Sequence, residues 1–537
     1  AQYRSEKLDL ARRAFVEAIS TIETLRPQQH RGQQPRFYES RLAPYLAMVD
    51  VAISEGKGLE AFDFAQRAKS RVLLGVLQSA KVWINKTMTP REREQERNFL
   101  AGVATLNTQI YREQERQKPN SARLGELTEK LRKARKDYAA FRDKLFALRP
   151  QLKILRGEGK PLNSTQAAAL LTGVETALLD FVETDESVYL FAFTKNQKSG
   201  GRSKQPVSPL KIYVLGTNRV DLHDRVMKFQ EAIAGRSDDA QAQARELYDL
   251  LLKPAQEQLA ARKHLVIAPD AVLWNLPFQA LRTEDDHYLI ENYAVSYTPS
   301  LTALGAISKL RARPKPRAAV SPALLAFVNP ALNPATEARI RSILPAEQTN
   351  QTPDAQKEAD ELSKLYGGRR IAVFVGAGAG EDRMKAEAGK YELLHLNVHS
   401  VLNETAPLFS FAALSSNVES KEDGLIEVRE IFDLDLKSDL TLLSGSELAW
   451  PKAGAIRAMT GLTWAWFVAG CPATVVSRWR GDESSDLMLV FHRRVKTSWR
   501  KESKARTWQA AVQQSLGREE RRHPYFWAGF SMLGDAR

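Results

Sequence analysis

One cysteine in 537 residues, Cys471, rules out an internal disulfide and any zinc site built on several thiolates. Histidine is scarce too, eight in all, so a metal or acid–base centre has few residues to draw on. No run of 18 uninterrupted apolar residues occurs, which excludes a transmembrane helix. The opening AQYRSEKLDLARR has neither an initiator Met nor an apolar signal core. It reads as a piece of a longer chain from a reducing, cytoplasmic setting. What is present is ordinary globular composition: 43% apolar and 26% charged residues, enough to bury a core and too apolar for a disordered chain. At roughly 100–200 residues per domain, the length implies about three structural units. The net charge of +14 favours an acidic partner or nucleic acid only where it is focused on one face.

Hydrophobic periodicity changes along the chain. Residues 1–85 read as helices: PYLAMVDVAISEGKGLEAFDFAQRAKSRVLLGVL has apolar residues at 3–4 spacing on both sides of a turn at Gly56 and Gly58. The second helix is predicted from about Leu59 to Leu77, and small Ala52 and Ala61 allow close packing. This helix–turn–helix resembles a tetratricopeptide repeat, with too few repeats for a full array. Residues 86–160 read as a charged helical hairpin split at Pro119-Asn120-Ser121, its charges forming solvated faces. From 161 on, short β-rich runs alternate with amphipathic helices, including ALLDFVE, VYLFAFT, HLVIAPD, LLAFVNP, LLHLNVH, LTLLSGS and TVVSRW. That alternation predicts an α/β fold with a mainly parallel sheet and flanking helices. The basic stretch RARPKPRAAVSP divides it near 320, giving 161–320 and 321–537.

Three groups of residues invite chemistry. The loop GAGAGEDRMK places Gly376, Gly378 and Gly380 between a strand and a helix, but it lacks GK[ST]. Glu381 and Asp382 would repel a phosphate, so a plain turn is expected. His395 and His399 share a strand face with Asn397, and no third metal ligand has recognisable spacing; no metal or other cofactor is expected. In the third group, the strand ELLHLNVH ends at His399, and LTLLSGS ends at Ser446, 47 residues later. Parallel strands ending in a histidine and a nucleophile put both groups in the crevice where open α/β sheets bind ligands. Caspase-type peptidases use that arrangement. Two polar residues that merely end core strands are the bland alternative.

VHSVLNETAPLFSFAALSS, DGLIEVREIFDLDL, LTLLSGSE, GLTWAWFVAGCPATVVSRW and HPYFWAGFSMLGD together resemble the CHAT domain, a caspase- and separase-like peptidase domain that typically follows tetratricopeptide repeats. HLVIAPDAVLWNLPFQAL and YAVSYTPSLTAL resemble its N-terminal half. The resemblance implies that His399 stands at the catalytic histidine and that Ser446 stands where an LSACETG-like motif has its nucleophilic cysteine. Ser400 replaces the glycine whose N–H helps to bind the oxyanion, and Gly445 replaces alanine. Leu448 replaces threonine, and Ile456-Arg457-Ala458 stands where GEG is common. Cys471 lies in a helix–strand connection, where packing is its expected role.

A serine hydroxyl is a far weaker acid than a thiol, so it needs an oriented histidine and a firm oxyanion hole. Asn397 is the nearest candidate to orient His399. Several departures cluster at one crevice while the flanking motifs match, which favours natural decay over a deliberate cysteine-to-serine change. The expectation is therefore a pseudopeptidase that acts as a protein-interaction or regulatory module. Helical repeats and the crevice would take a protein or peptide, and an active CHAT peptidase is a further candidate partner. An endopeptidase held inactive by its serine, or a weak serine hydrolase, is the enzymatic rival. Nucleic acid is a third option, through Arg493, Arg494, Lys496, Arg500, Lys501, Lys504 and Arg506, which a solvated helical face explains more simply. No membrane is expected.

Overall fold

The computed structural model describes residues 8–24, 35–77, 84–195, 209–311, 322–341, 355–403, 406–416, 421–445, 455–479, 484–499 and 501–537. The chain divides into two compact units, Leu77–Gly159 and the remainder. Among the described residues, no helix is long and apolar enough to cross a membrane.

In the smaller unit, α4 (Pro90–Gln114) and α5 (Ser121–Leu148) pack together as a helical hairpin. Thr89 and Glu92 make a capping box at the start of α4, and Asn120 caps α5 by accepting from the Arg123 N–H. Glu113, nearly buried at the turn, accepts the Asn120 N–H at 3.1 Å. At the base, Arg156 grips Glu96 through two bonds of 2.8 Å, and Tyr138 donates to the same carboxylate. This is a fork-to-fork pair with both ends shielded from water.

The larger unit is built on an 11-stranded sheet in the order β3-β2-β1-β4-β5-β14-β13-β12-β8-β6-β7. Its strands are β1 (Thr176–Glu183), β2 (Val188–Thr194), β3 (Leu210–Leu215), β4 (His264–Ala268), β5 (Ala294–Tyr297), β6 (Leu324–Pro330), β7 (Ile371–Gly376), β8 (Leu393–Asn397), β12 (Leu440–Leu443), β13 (Ala473–Ser477) and β14 (Phe530–Gly534). Neighbours β1, β4, β5 and β14 run parallel, as do β13, β12, β8, β6 and β7. The two parallel sets meet antiparallel at β13 and β14, and β2 and β3 add an antiparallel edge. The expected α/β class with a mainly parallel sheet is what forms. The central strands are buried along their length and mostly apolar, with Asp180, His395 and Asn397 among the buried polar exceptions. A small separate sheet joins β9 (Ser400–Val401), β10 (Phe411–Ala413) and β11 (Leu425–Glu427).

Helices α1 (Leu8–Thr24), α2 (Pro35–Ser54) and α3 (Gly58–Leu77) belong to this unit. Gly56, at φ 72°, makes the turn between α2 and α3, and the Lys57 N–H closes on the Ala52 carbonyl. Tyr45, Met48, Phe62 and Ala65 pack in one core with Leu178, Phe191 and Phe193. The apolar face of this helix pair thus lies against β1 and β2. In the middle of that contact, Lys69 on α3 pairs with Asp180 on β1, both shielded from water.

Candidate functional site at the ends of β8 and β12

Parallel pairing of β8 with β12 holds a constant separation of 47 residues, Leu393 with Leu440 through Leu396 with Leu443. The same separation divides His399 from Ser446. His399 lies just beyond β8, half-buried, and its carbonyl accepts the Ala413 N–H at 2.7 Å. Ser400 opens β9, pairs with Ala412 and is buried. Gly445 follows β12. Residues 446–454, with Ser446 and Leu448, lie outside the described residues, as do residues 480–483 and Arg500. His399, Ser400 and Gly445 lie at one end of the sheet.

Gly445 sits where the two strand ends nearly touch. A Cβ at this position would overlap the Val398 nitrogen and the Asn397 carbonyl carbon. Backbone cannot yield as a side chain can, so Gly445→Ala should lower stability by about 1–3 kcal/mol. A thermal-unfolding midpoint unchanged by that substitution would contradict the close approach.

Beneath these ends runs a polar network that sequence reasoning missed. His395 Nε2 lies 2.7 Å from Ser444 Oγ and 3.3 Å from Glu358 Oε1. Its Nδ1 meets His492 Nε2 at 2.9 Å, the two rings stacked, and His492 Nδ1 meets the Tyr366 hydroxyl at 3.0 Å. Asn397 donates its amide to Glu358 at 2.7 Å. Glu358 and Tyr366 come from helix Ala355–Tyr366, and His492 comes from helix Ser484–Ser498. Burial holds His395 down to about 3 and His492 well below its ordinary value; both rings are neutral.

With neutral rings, a proton on His395 Nε2 satisfies the chain in one direction. Tyr366 donates to His492, His492 to His395, and His395 to Ser444. The reverse tautomers, with Ser444 donating to His395 and His492 to Tyr366, satisfy the same contacts, and in either set the buried trio braces the strand ends. Its sequence signal was faint: a histidine inside the apolar run LMLVFHRRV, 97 residues from His395. Asn397, the candidate to orient His399, has its amide engaged by Glu358 instead.

Beside His399, a cavity of about 50 Å3 is lined by Asn329, Pro330, Leu332, Glu337, Ile340 and Arg341. Glu337 and Arg341 pair at 3.1 Å. Asn329 ends β6 in the left-handed region, φ 46°, a conformation asparagine tolerates better than most residues. The space admits a few waters or one small side chain.

The other sequence candidates fall into plain roles. Residues 376–380 make a strand-to-helix turn, with Glu381 buried and bonded to the Gly424 N–H. Glu381, Glu422 and Glu430 converge, but the Lys385 ammonium sits among them at 2.6–3.0 Å and supplies the positive charge itself. Cys471 is buried, its thiol pushed up by burial, in contact with Thr441 and the Ala473 carbonyl. In the basic cluster, Arg494 bonds Gln514 and Lys496 bonds the Leu365 carbonyl. Trp499 and Trp508 are buried and unavailable for stacking on bases.

Residues 241–535 match the family described as CHAT domain. The chain belongs to the CHAT-domain family. Among solved structures, this CHAT-domain chain is similar to the Saccharomyces cerevisiae separase–securin complex. One structure of that complex, at 3.0 Å resolution, has a TM-score of 0.44 and 8% identity; it covers 98% of this chain and 40% of that one. Another, at 2.6 Å, has a TM-score of 0.39 and 9% identity with the same coverage. The CHAT-domain chain therefore spans two fifths of those structures' length. No curated protein matches its sequence.

Proposed function

We propose that this CHAT-domain chain is a pseudopeptidase, a module that holds a peptide or protein segment at the ends of β8 and β12 without cutting it. Ser446 stands where the family pattern has its cysteine, and the carrying observation is that Asn397, the group nearest to orient His399, has its amide engaged by Glu358. A serine hydroxyl needs a firmly oriented histidine and oxyanion hole to be activated, where a cysteine would be held as a thiolate. Ser400 lies in a β-pairing where a catalytic CHAT site would have the freedom of glycine. Helices α1–α3 read as the end of a helical-repeat segment that recruits a partner, and an active CHAT peptidase is one such partner. The direct test is retention of a randomised peptide library followed by mass spectrometry. Retained peptides should return intact; cleaved fragments among them would refute the reading.

A further inference from the structure

Among the described residues, Arg478 is a guanidinium inside the fold with no counter-ion. It follows β13 and is 5% exposed. Its Nε donates to Ser531 Oγ at 2.7 Å and its Nη1 to the Trp274 carbonyl at 2.6 Å. The Tyr297 ring lies 5.3 Å from the guanidinium carbon. Nη2 is buried with no hydrogen-bond partner, and among the described residues Arg478 forms no ion pair. Burial acts on the group almost unopposed and lowers its affinity for a proton, although guanidinium stays charged in proteins. Arginine is seldom fully buried unless it is paired, so the missing partner has to be explained.

Location supplies an explanation. Leu443 pairs with Val476, and the same register carried two residues on sets Gly445 level with Arg478. The guanidinium therefore lies at the end of the sheet that carries His399 and Gly445. It also lies at the seam where the two parallel strand sets meet, held by neutral acceptors from the loop after β4 and from β14. Those acceptors fix the fork and leave one N–H edge unused, which suits a carboxylate.

We propose that Arg478 is the anion-recognising residue of the crevice and takes the carboxylate of a bound peptide, from an Asp or Glu side chain or from a free C-terminus. The proposal rests on the reading of the crevice as a peptide site and adds the chemistry of its ligand. Neighbouring groups must shift to admit that carboxylate, because Nη2 is shielded. Once there, the pair is dry and little screened by salt. The chain's net charge of +14 draws acidic segments toward it.

The test is fluorescence anisotropy on the full chain with three labelled peptide pools of equal length. One pool carries internal Glu and an amidated end, one a free C-terminus without acidic residues, and one neither. One carboxylate pool should bind at least about tenfold tighter than the neutral pool, and which pool does so identifies the source. Arg478→Met should erase that preference while its thermal midpoint stays equal or rises, since an unpaired buried charge has been removed. Arg478→Lys decides the matter if the methionine variant does not fold: a preference reduced about tenfold with neutral binding unchanged supports the site. Equal binding of all three pools, or a preference that survives either substitution intact, overturns the role of Arg478 alone. Binding of no pool overturns the peptide-site reading and this inference with it.

Discussion

Lys69→Met should cost about 3–5 kcal/mol of unfolding free energy, because it strands the buried Asp180 carboxylate. The Lys69 ammonium meets Asp180 and also the carbonyls of Ala268 and Pro269 at 3.0 and 3.1 Å. It thus ties α3 to the ends of both β1 and β4. Burial pushes the Asp180 carboxyl upward while Lys69 pulls it back. Only the Gln66 amide would remain as a partner, and Leu178, Phe191 and Phe193 surround the site. Removing both charges with Lys69→Met/Asp180→Leu should recover most of the loss, since a well-packed apolar pair often equals a buried ion pair. Denaturant titration of the two single variants and the double reads this directly. A single-variant cost below about 1 kcal/mol, or a double variant no better than the singles, would show that the pair does not hold α3 in place.

Stability should fall below about pH 6.5. Burial holds His264 to about 4 and His395 to about 3, with His492 well below its usual value. An unfolded chain protonates all three near 6.5, so between there and about pH 4 it binds up to three more protons than the folded chain at these sites. Their contribution is fully present above pH 6.5 and is lost as pH falls. Glu183 opposes this: burial and Asp270 raise it to about 8 from 4.5. Folded Glu183 holds a proton that the unfolded chain lacks, and that contribution grows as pH falls from 8 to 4.5. Asp50 and Asp180, also pushed up by burial, act in the same sense. Three imidazoles against Glu183 alone leave up to two protons near pH 5.5, an upper limit of about 3 kcal/mol per pH unit that Asp50, Asp180 and Glu381 reduce. Denaturation midpoints at half-unit steps from pH 8 to 5 should hold or rise slightly at first and then drop. A profile that keeps rising down to pH 5 would mean that the buried histidines are charged or paired.

Much of the fold was legible because the central strands are buried along their length. Runs such as VYLFAFT and LLAFVNP read as strands without ambiguity, and Pro119-Asn120-Ser121 marked the break between the two helices of the hairpin. Four-residue β5 and the two- and three-residue strands β9–β11 were not legible, since so few residues show no period. At the candidate site, His399, Ser400 and Gly445 came from strand ends and motif resemblance. The brace beneath them did not, because Glu358, His395 and His492 come from three distant segments and meet only through tertiary packing. Arg478 was hidden for a related reason: a single arginine after a strand looks exposed until the loop after β4 and β14 close around it.

The central claim, a CHAT-domain site that binds without cutting, is tested most directly by a cleavage assay of the chain beside its Ser446→Cys variant, on a diverse fluorogenic peptide mixture, with folding checked for both. The account predicts no turnover by either, because the departures from the family pattern at Ser400 and Gly445 persist whatever occupies position 446. Turnover by the cysteine variant, abolished by adding His399→Ala, would show a working site blocked at one atom. Turnover by the serine chain itself would contradict the account outright.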